Sequence, residues 1–485
     1  MNFLGLRLED HDANICYTEN GKAKYIKTER IYQQKHHGYS NFNGWLNVLK
    51  DWGVELKDID AIGIVTDDGG DDLWEVLDFP LFKHMGFKKP VFRIDHHYAH
   101  ALSIWPLGIK TDVDIVFDGF GNNDATHTVI RNNEIISRGT IYDHPSLGQI
   151  MGNLGDILEI RGINLDHAGK LMALKGHGNV SQSELESLKK NLSRYDIQFL
   201  DHLWDIDCVK GLKWQEICNH IQVCHTFTEQ IYNDFFCKYS EPGEVVGYSG
   251  GIAQNTVINS AIDRNLVIPP HCADDGLSFG AVEFLRRFYQ EPEFCIDGYP
   301  FWQEDDCPEE PTEQTIELTA KLLSEGKIVG WYQGKGEVGA RALGNRSILM
   351  DPRIKDGKDI LNTKVKHREE YRPFGASVLE EAASDYFDIE GKSPYMLYVH
   401  HILDPYLPSI THVDETCRIQ TVSKEQKHYY SLLTKFESLS GLPVLLNTSL
   451  NNGGKPICGS RYDAIELLHE TDLDVLVIGN DFYLK

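Results

Sequence analysis

Two histidines are the residues of this chain that most directly suggest chemistry. His96 and His100 are separated by three residues, so on a helix they lie on the same face. This spacing is typical of paired histidine ligands of a metal ion. Two hydrogen-bonded histidines without a metal are the commoner source of such a pattern, so the pair alone leaves both interpretations open.

Two further carboxylates favour the metal interpretation. Asp118 ends an apolar strand at a glycine turn, where its side chain would point into a cleft. Asp274 and Asp275 follow two prolines, and one of them could supply the second carboxylate. Two histidines and two carboxylates suit a borderline divalent metal with open positions, such as iron, manganese or zinc.

Glycines and a lysine in the middle of the chain could bind a nucleotide. Gly250 and Gly251 follow a predicted strand and lie at the start of a predicted helix, in a segment that continues to Asn255. Backbone amides at such a helix start can approach a phosphate, although an ordinary strand-to-helix turn has the same pattern. Lys170 stands before an apolar helical run; it could contact the nucleotide or be an ordinary solvated lysine.

A glycine-rich basic block follows residue 330. Arginine can pair with phosphate through two parallel hydrogen bonds, and glycine lets backbone amides come close. We expect phosphate binding here, and the alternative is a surface on which these cations pair with neighbouring glutamates. The candidate residues are Arg341, Arg346, Ser347, Lys364 and Arg372.

A second polar segment closes the C-terminal region. The strand predicted before Asn447 runs into small polar residues and glycines, among them Ser449. Such a segment can bind a nucleotide or a small carbonyl group, or it can be a simple polar loop.

Composition limits the classes of function. The net charge of −26 argues against a general nucleic-acid binder, which would carry a basic surface. Any phosphate site must therefore be a local basic pocket. No apolar run approaches the roughly 20 residues of a spanning helix. Ten scattered cysteines without a C-x-x-C pair, and no visible signal peptide, are typical of a protein of the reducing cytoplasm.

The predicted elements form two similar cycles. A strand at residues 3–8 leads into a hairpin around Asn20-Gly21, and a strand at 113–117 leads into a hairpin around Asn132-Asn133. This duplication suggests the actin-like ATPase architecture, in which two such hairpins face nucleotide phosphates. With 485 residues, two or three domains are expected. A segment rich in proline and acidic residues predicts a boundary near residue 300, giving domains 1–300 and 301–485.

Taken in order, these segments resemble the carbamoyltransferases of the NodU/CmcH family, which act in nodulation-factor and antibiotic biosynthesis. The resemblance covers most of the chain, and it is specific as a set rather than through any single motif. The matching blocks are His11-Asp12, residues 96–100, Asp118-Gly119, Gly169–Leu174, Ser249–Asn255, Asp274–Gly280, Gly334–Ser347, Arg372–Gly375 and Asn447–Ile457.

The resemblance implies a fold and a division of labour. It implies an α/β protein with an N-terminal actin-like ATPase domain, built from duplicated ribonuclease-H-like halves, and a C-terminal YrdC-like twisted α/β domain. The C-terminal domain would make carbamoyl-adenylate from carbamoyl phosphate and ATP. The N-terminal domain would transfer the carbamoyl group to a hydroxyl of a small metabolite at a metal site.

The resemblance also implies roles for particular residues. Iron(II) or another divalent metal would bind in the N-terminal domain, and magnesium would accompany ATP. His11 would be the base near the acceptor hydroxyl, assisted by Asp12. The implied metal ligands are His96, His100, Asp118 and Asp274; the implied nucleotide or adenylate residues are Lys170, Gly250, Gly251 and Asn255; and the implied carbamoyl phosphate and ATP residues are Arg341, Arg346, Ser347, Lys364, Arg372, Asn447 and Ser449.

Three other functions fit parts of the sequence. A tRNA threonylcarbamoyl transferase would change the acceptor, but the acidic charge and the fused C-terminal domain oppose it. An actin-like sugar kinase would release ADP rather than AMP, and a regulatory module would bind ATP and metal without turnover. The basic block has no role in the last two. The expected ligands are carbamoyl phosphate, ATP and a small hydroxyl compound, without nucleic acid or membrane, and a homodimer is left open.

Overall fold

A computed structural model describes residues 1–9, 11–39, 43–70, 72–191, 197–204 and 206–485. The protein is a mixed α/β protein with three sheets. Within the described ranges, no helix combines the length and apolar character needed to cross a bilayer. Residues 1–300 are called the N-terminal part below, and residues 301–485 the C-terminal part.

The first sheet has six strands in the order β3-β2-β1-β4-β6-β5. Its β2–β3 hairpin turns at Asn20 and Gly21, which both have positive φ, as the sequence predicts for a tight hairpin turn. The strands are β1 Phe3–Arg7, β2 Asn14–Glu19, β3 Lys22–Lys27, β4 Ala61–Val65, β5 Trp74–Val76 and β6 Val91–Ile94.

The second sheet has five strands in the order β11-β10-β7-β8-β9. The strands are β7 Val113–Phe117, β8 Ala125–Arg131, β9 Glu134–Thr140, β10 Val245–Ser249 and β11 Asn265–Val267. In both sheets the first strand pairs antiparallel with a hairpin on one side and parallel with a later strand on the other. The series β3-β2-β1-β4-β6 thus matches β9-β8-β7-β10-β11, and the predicted duplication is present in the topology.

Helices of the N-terminal part cover these two sheets. The helices are α1 Glu29–Tyr32, α2 Trp45–Asp51, α3 Pro80–His84, α4 His96–Leu102, α5 Leu147–Ile157, α6 Asn164–Leu174, α7 Gln182–Asn191, α8 Leu200–Leu203, α9 Trp214–Tyr239, α10 Thr256–Ala261 and α11 Leu277–Phe288. Helix α9 has the predicted bounds. The helix predicted for residues 183–192 begins one residue earlier, and residue 192 lies outside the described ranges.

Helix α11 packs closely against α4, which carries two of the candidate site residues, and against β1. A Cβ atom on Gly280 of α11 would lie 1.9 Å from the carbonyl oxygen of Ala99 in α4. A Cβ atom on Gly5 of β1 would lie 2.2 Å from the carbonyl oxygen of Ser278. Glycine at both positions therefore lets α11 lie directly against α4 and against β1.

The C-terminal part forms the third sheet, of eight strands in the order β15-β16-β14-β17-β13-β12-β18-β19. The strands are β12 Val329–Tyr332, β13 Arg346–Met350, β14 Gly375–Leu379, β15 Val399–His401, β16 Thr416–Val422, β17 Val444–Ser449, β18 Val475–Ile478 and β19 Asp481–Leu484. The helices are α12 Glu313–Ser324, α13 Gly357–Leu361, α14 Ala383–Tyr386, α15 Lys427–Ser440 and α16 Arg461–Glu470. The mixed sheet has its own apolar core, centred on residues such as Trp331 and Phe436.

Candidate functional site

Helix α4 presents the two histidines. It begins directly after β6, and the Asp95 side chain accepts a hydrogen bond from the Tyr98 amide at 2.9 Å, which satisfies a free amide at the helix start. The apolar pattern of residues 97–105 predicts a helix from His97 to Trp105, and the observed helix starts one residue earlier and is shorter. His96 and His100 are both buried, and their Nε2 atoms lie 3.2 Å apart.

Two carboxylates converge on these histidines. Asp118 Oδ2 lies 2.9 Å from Nε2 of both His96 and His100, and Asp274 Oδ1 lies 3.5 Å from each. Asp118 directly follows β7, and Asp274 begins the 3-10 turn before α11. One ligand atom from each of the four buried residues lies within 4.8 Å of all the others. We call these residues the His–Asp cluster.

The His–Asp cluster fits a divalent cation. Burial alone would lower the pKa of His96, but Asp274 and Asp118 outweigh it and raise that pKa well above its usual range. The pKa of His100 is also raised, because the hydrogen bonds to Asp118 and Asp274 outweigh the effect of burial, which lowers it. The cluster thus favours positive charge among its carboxylates, and a metal ion bound there would replace the imidazole protons.

The choice between the adjacent aspartates is decided by their directions. Asp274 faces the histidines, whereas the nearest cation to Asp275 is Lys27 at 3.6 Å. Burial raises the pKa of Asp275 to about 6, and neither of its carboxylate oxygens has a hydrogen-bond partner. Asp274 is therefore the member of the pair that can join the His–Asp cluster.

His11 and Asp12 lie beside this cluster. His11 Nδ1 is 3.0 Å from Asp12 Oδ2 and 4.0 Å from Asp274 Oδ2. The His11 side chain is 35% exposed, so a ligand can reach it. Burial lowers the pKa of His11, but the hydrogen bond to Asp12 and the charge of Asp274 outweigh it and raise the pKa above its usual range.

Asp12 is held by residues that the sequence interpretation missed. Lys27 Nζ lies 2.8 Å from Asp12 Oδ1, and His36 Nδ1 lies 2.8 Å from Asp12 Oδ2. The other ring nitrogen of His36 lies 3.4 Å from Asp166 Oδ1. His36 thus bridges two carboxylates, but the Lys35-His36-His37 segment has no spacing that marks this role.

The predicted nucleotide residues have hydrogen-bond partners within the protein. The Gly251 amide donates to Asp118 Oδ1 at 2.9 Å, and the Gly250 amide donates to the Cys272 carbonyl at 2.7 Å. Both amides therefore already hold the His–Asp cluster and its surroundings in place. Asn255 caps α10 by accepting hydrogen bonds from the Val257 and Ile258 amides.

Lys170 lies inside α6 rather than before a helix. Its buried ammonium group contacts the carbonyl oxygen of Arg161 and lies 3.1 Å from Glu369 Oε1. Lys170 therefore joins α6 to the C-terminal part.

Four arginines of the C-terminal part lie close together, and we call them the arginine cluster: Arg341, Arg368, Arg372 and Arg418. In the described part of the chain, no carboxylate lies within ion-pair distance of three of them, and the fourth, Arg372, is 3.5 Å from Glu369. Burial lowers the pKa of Arg418, and the charges of Arg341 and Arg372 lower it further. Like charges held together in this way favour an anionic ligand.

Arg341 and Arg372 are predicted from the sequence as separate candidates, whereas Arg418 is not predicted. Arg418 follows Cys417 in β16 without neighbouring glycines or basic residues, so only the sheet order brings it to the cluster. Arg368 lies in the predicted basic block, where it donates to Asn362 Oδ1 at 2.8 Å and lies over the Phe374 ring.

Arg346 has a different environment from the one predicted. Its Nη1 donates to the carbonyl oxygens of Gln333 and Asn345, and its Nη2 contacts Asp305 Oδ1 at 2.8 Å and two further carbonyl oxygens. These partners use its Nη hydrogens, and the guanidinium stacks on the Tyr332 ring. In this structure, Arg346 holds the glycine-rich loop in place and offers no free Nη hydrogen to a phosphate.

The other predicted polar residues differ in how far their side chains are exposed to solvent. Lys364 is exposed, whereas Ser347 and Asn447 are fully buried on neighbouring strands β13 and β17. Asn447 Nδ2 donates to the Ala342 carbonyl at 3.2 Å, and its Oδ1 has no hydrogen-bond partner. Ser449 Oγ accepts from Lys366 Nζ at 3.2 Å.

The glycine-rich loop docks onto the segment that carries the His–Asp cluster. A Cβ atom on Gly339 would lie 2.1 Å from the Pro270 carbonyl oxygen, four residues before Asp274. Arg341 Nη2 donates to the carbonyl oxygen of Gln254 at 3.4 Å. Gln254 ends the 3-10 helix that begins at Gly251, whose amide contacts Asp118. One short helix thus touches both clusters.

Comparison with known proteins agrees with these features. The model of the family described as "Carbamoyltransferase C-terminus" matches residues 320–485. Nodulation protein NolO of Bradyrhizobium diazoefficiens is 37% identical over 80% of this chain and 78% of its own length. Nodulation protein NolNO of Sinorhizobium fredii is 30% identical over 97% of this chain and 78% of its own length.

A relative named for its reaction also matches. The 3'-hydroxymethylcephem-O-carbamoyltransferase of Streptomyces clavuligerus is 29% identical over 66% of this chain and 65% of its own length. Among solved structures, HypF of T. kodakarensis aligns with 60% of this chain and 48% of its own at 12% identity, with a TM-score of only 0.40. The identity to NolO over most of both chains, together with the matched C-terminal model, places this chain in the NodU/CmcH family of carbamoyltransferases.

Proposed function

We propose that this protein is an ATP-dependent O-carbamoyltransferase that moves a carbamoyl group from carbamoyl phosphate to a hydroxyl of a small metabolite. The observation that carries this proposal is the adjacency of the arginine cluster and the His–Asp cluster, linked through Arg341 and Gln254. One cluster suits polyphosphate anions, and the other suits a metal ion beside a histidine base.

The donor half-reaction belongs to the C-terminal part. Arg341, Arg372 and Arg418 bind the phosphate groups of carbamoyl phosphate and ATP, and magnesium accompanies ATP. Atom balance requires one water molecule, which releases inorganic phosphate and leaves carbamate. A carbamate oxygen then attacks the α-phosphorus of ATP, and pyrophosphate departs. The product is carbamoyl-adenylate, in which AMP is a good leaving group.

The acceptor half-reaction belongs to the N-terminal part. The acceptor hydroxyl oxygen attacks the carbamoyl carbon, and the bond to AMP breaks. A proton on His11 Nδ1 is donated to Asp12, which is 3.0 Å away. This leaves Nε2 of His11 free to take the hydroxyl proton.

The four residues of the His–Asp cluster would hold iron(II) or another divalent metal. When bound, such an ion supplies Lewis-acid polarisation of a neighbouring oxygen. The residues themselves place two imidazole nitrogens and two carboxylate oxygens around one point close to His11.

The short distance between the clusters protects the intermediate. Carbamoyl-adenylate is lost if water reaches it, so transfer must be quick and enclosed. The 3-10 helix between the contacts at Gly251 and Gln254 spans about 6 Å, from a rise of about 2 Å per residue. The proposed domain boundary near residue 300 assigns the two half-reactions to separate sheets with this junction between them.

Pyrophosphate release in the absence of acceptor tests the donor half-reaction. Wild-type protein with ATP and carbamoyl phosphate is expected to release pyrophosphate, and Arg372→Gln is expected to lose most of this activity. Arg461→Gln is the matched control, because Arg461 is half-exposed and pairs with Asp306 outside the arginine cluster. Wild-type rates in Arg372→Gln would overturn the assignment of the cluster.

A further inference from the structure

A carboxylate outside the His–Asp cluster contacts one of its histidines. Asp67 Oδ1 lies 2.7 Å from Nδ1 of His96, on the side of the ring away from Asp118. The other oxygen, Asp67 Oδ2, lies 2.7 Å from Nη2 of Arg7. The same Nη2 atom lies 3.3 Å from Oδ2 of Asp274.

The first sheet brings these residues together. Arg7 ends β1 and Asp67 follows β4 by two residues, and Arg7 lies opposite Val65 in the parallel β1–β4 pair. Both strands therefore end at the same sheet edge, where α4 begins. Arg7 is fully buried, and a buried guanidinium needs carboxylate partners of this kind.

The two histidines of the His–Asp cluster differ in the hydrogen bonding of their Nδ1 atoms. Nδ1 of His96 has Asp67 as its partner, whereas Nδ1 of His100 is buried without a hydrogen-bond partner among the described residues. A proton on Nδ1 of His96 that is donated to Asp67 leaves the Nε2 lone pair directed at the cluster. Carboxylate–histidine pairs of this type orient the ring and make the nitrogen a stronger metal donor.

The local charge supports the same arrangement. Arg7 balances only part of the negative charge of Asp67, Asp118, Asp274 and Glu9, whose Oε2 atom lies 3.9 Å from Arg7 Nη1. The excess negative charge favours a cation among these carboxylates.

We propose that Asp67 is a positioning residue for metal binding, which orients His96 as the stronger of the two histidine ligands. Arg7 holds the side chains of Asp67 and Asp274 in place. This inference rests on the proposed metal site of the carbamoyltransferase. It assigns to Asp67 a role that none of the predicted site residues has.

Metal affinity of the full-length protein tests the inference without any turnover. Cobalt(II) is the probe, because its visible absorption reports the ligand geometry and its affinity is measured by competition with a chromophoric chelator. Asp67→Asn is expected to bind cobalt(II) about 10- to 100-fold more weakly and with a changed spectrum. Asp68→Asn, which removes a neighbouring charge on the same loop, is expected to match the wild type.

The outcomes separate the inference from the proposed function. The double variant His96→Ala, His100→Ala is expected to lose the ion completely. If the double variant loses cobalt(II) while Asp67→Asn keeps wild-type affinity and spectrum, the inference is overturned and the site stands. If the wild type itself binds no cobalt(II), both fail. Should Asp67→Asn not fold by circular dichroism, Asp67→Ser, which also removes the carboxylate, takes its place, and wild-type affinity in that variant would equally overturn the inference.

Discussion

Arg341 donates a hydrogen bond from Nη2 to the carbonyl oxygen of Gln254 at 3.4 Å, across the junction between the two parts of the chain. Gln254 ends the short helix whose first amide, on Gly251, holds Asp118. Arg341 of the arginine cluster and Asp118 of the His–Asp cluster are thus separated by a single helical turn. The proposed function predicts that this contact couples the two half-reactions, which substitutions on either side can test.

His11→Ala should separate the half-reactions. If His11 takes the proton of the attacking hydroxyl, its loss lowers carbamoyl transfer on the order of 10²- to 10⁴-fold. Pyrophosphate release should persist, because the arginine cluster lies in the other part. Parallel assays of pyrophosphate and of carbamoylated product measure the two rates. Equal loss of both would indicate a folding or coupling defect, and undiminished transfer would exclude His11 as the base.

Arg418→Gln should raise stability and weaken substrate binding. Burial and the charges of Arg341 and Arg372 lower the pKa of Arg418, so its charge is unfavourable until an anion binds. Each kcal/mol of repulsion removed should raise the thermal midpoint by about 2–4 °C. The added stabilisation that ATP and carbamoyl phosphate give to the wild type should shrink. Differential scanning calorimetry with and without these ligands checks both effects, and a lowered midpoint without ligands would contradict the prediction.

The sequence predicts the residues of the His–Asp cluster better than those of the arginine cluster, and the reason is physical. His96 and His100 lie on one turn of a helix, and Asp118 and Asp274 sit at turns beside regular elements, so local spacing carries most of the geometry. The structure brings these four residues together. It also selects Asp274 over Asp275, which depends on which way each side chain leaves a turn and which no spacing reveals.

The residues of the arginine cluster depend on sheet order instead. Arg418 comes to Arg341 and Arg372 because β16 pairs with β14, and this pairing cannot be read from the segment around Arg418. Arg346 shows the opposite case, since it lies in the expected glycine-rich block but is enclosed by Asp305 and backbone carbonyl oxygens. His36 likewise depends on a loop that returns to Asp12.

His36 should make stability depend on pH. Burial lowers its pKa, but hydrogen bonds to Asp12 and Asp166 outweigh burial and the opposing charge of Lys27, and raise the pKa to about 9. The unfolded value is about 6.5. A raised folded pKa gives stability that is fully present below about pH 6.5 and is lost as the pH rises through about 9.

His36→Gln isolates this contribution. The free energy of unfolding of the wild type should exceed that of His36→Gln most at low pH, and the gap should narrow between about pH 6.5 and 9. Urea unfolding of both proteins across this range measures the gap. A gap that is constant or that widens with rising pH would contradict the predicted protonation state.

Gly339→Ala should loosen the junction. Gly339 has a φ of +88°, and a Cβ atom would lie 2.1 Å from the Pro270 carbonyl oxygen, so the loop must shift away from the N-terminal part. Carbamoylated product formed per pyrophosphate released should fall, by up to about 100-fold for a displacement near 1 Å. Gly441→Ala is the control, since Gly441 also has positive φ but faces open space. An unchanged ratio in Gly339→Ala would show that this contact does not couple the half-reactions.

The proposed function requires that carbamoyl phosphate drives cleavage of ATP between its α- and β-phosphates. Phosphorus NMR of the wild-type protein with ATP, magnesium and carbamoyl phosphate measures this directly. Pyrophosphate and inorganic phosphate should form in equal amounts, matched by carbamoyl-adenylate or, after a hydroxyl compound has been added and carbamoylated, by AMP, and only when carbamoyl phosphate is present. Formation of ADP, or ATP cleavage that is the same without carbamoyl phosphate, would contradict the account.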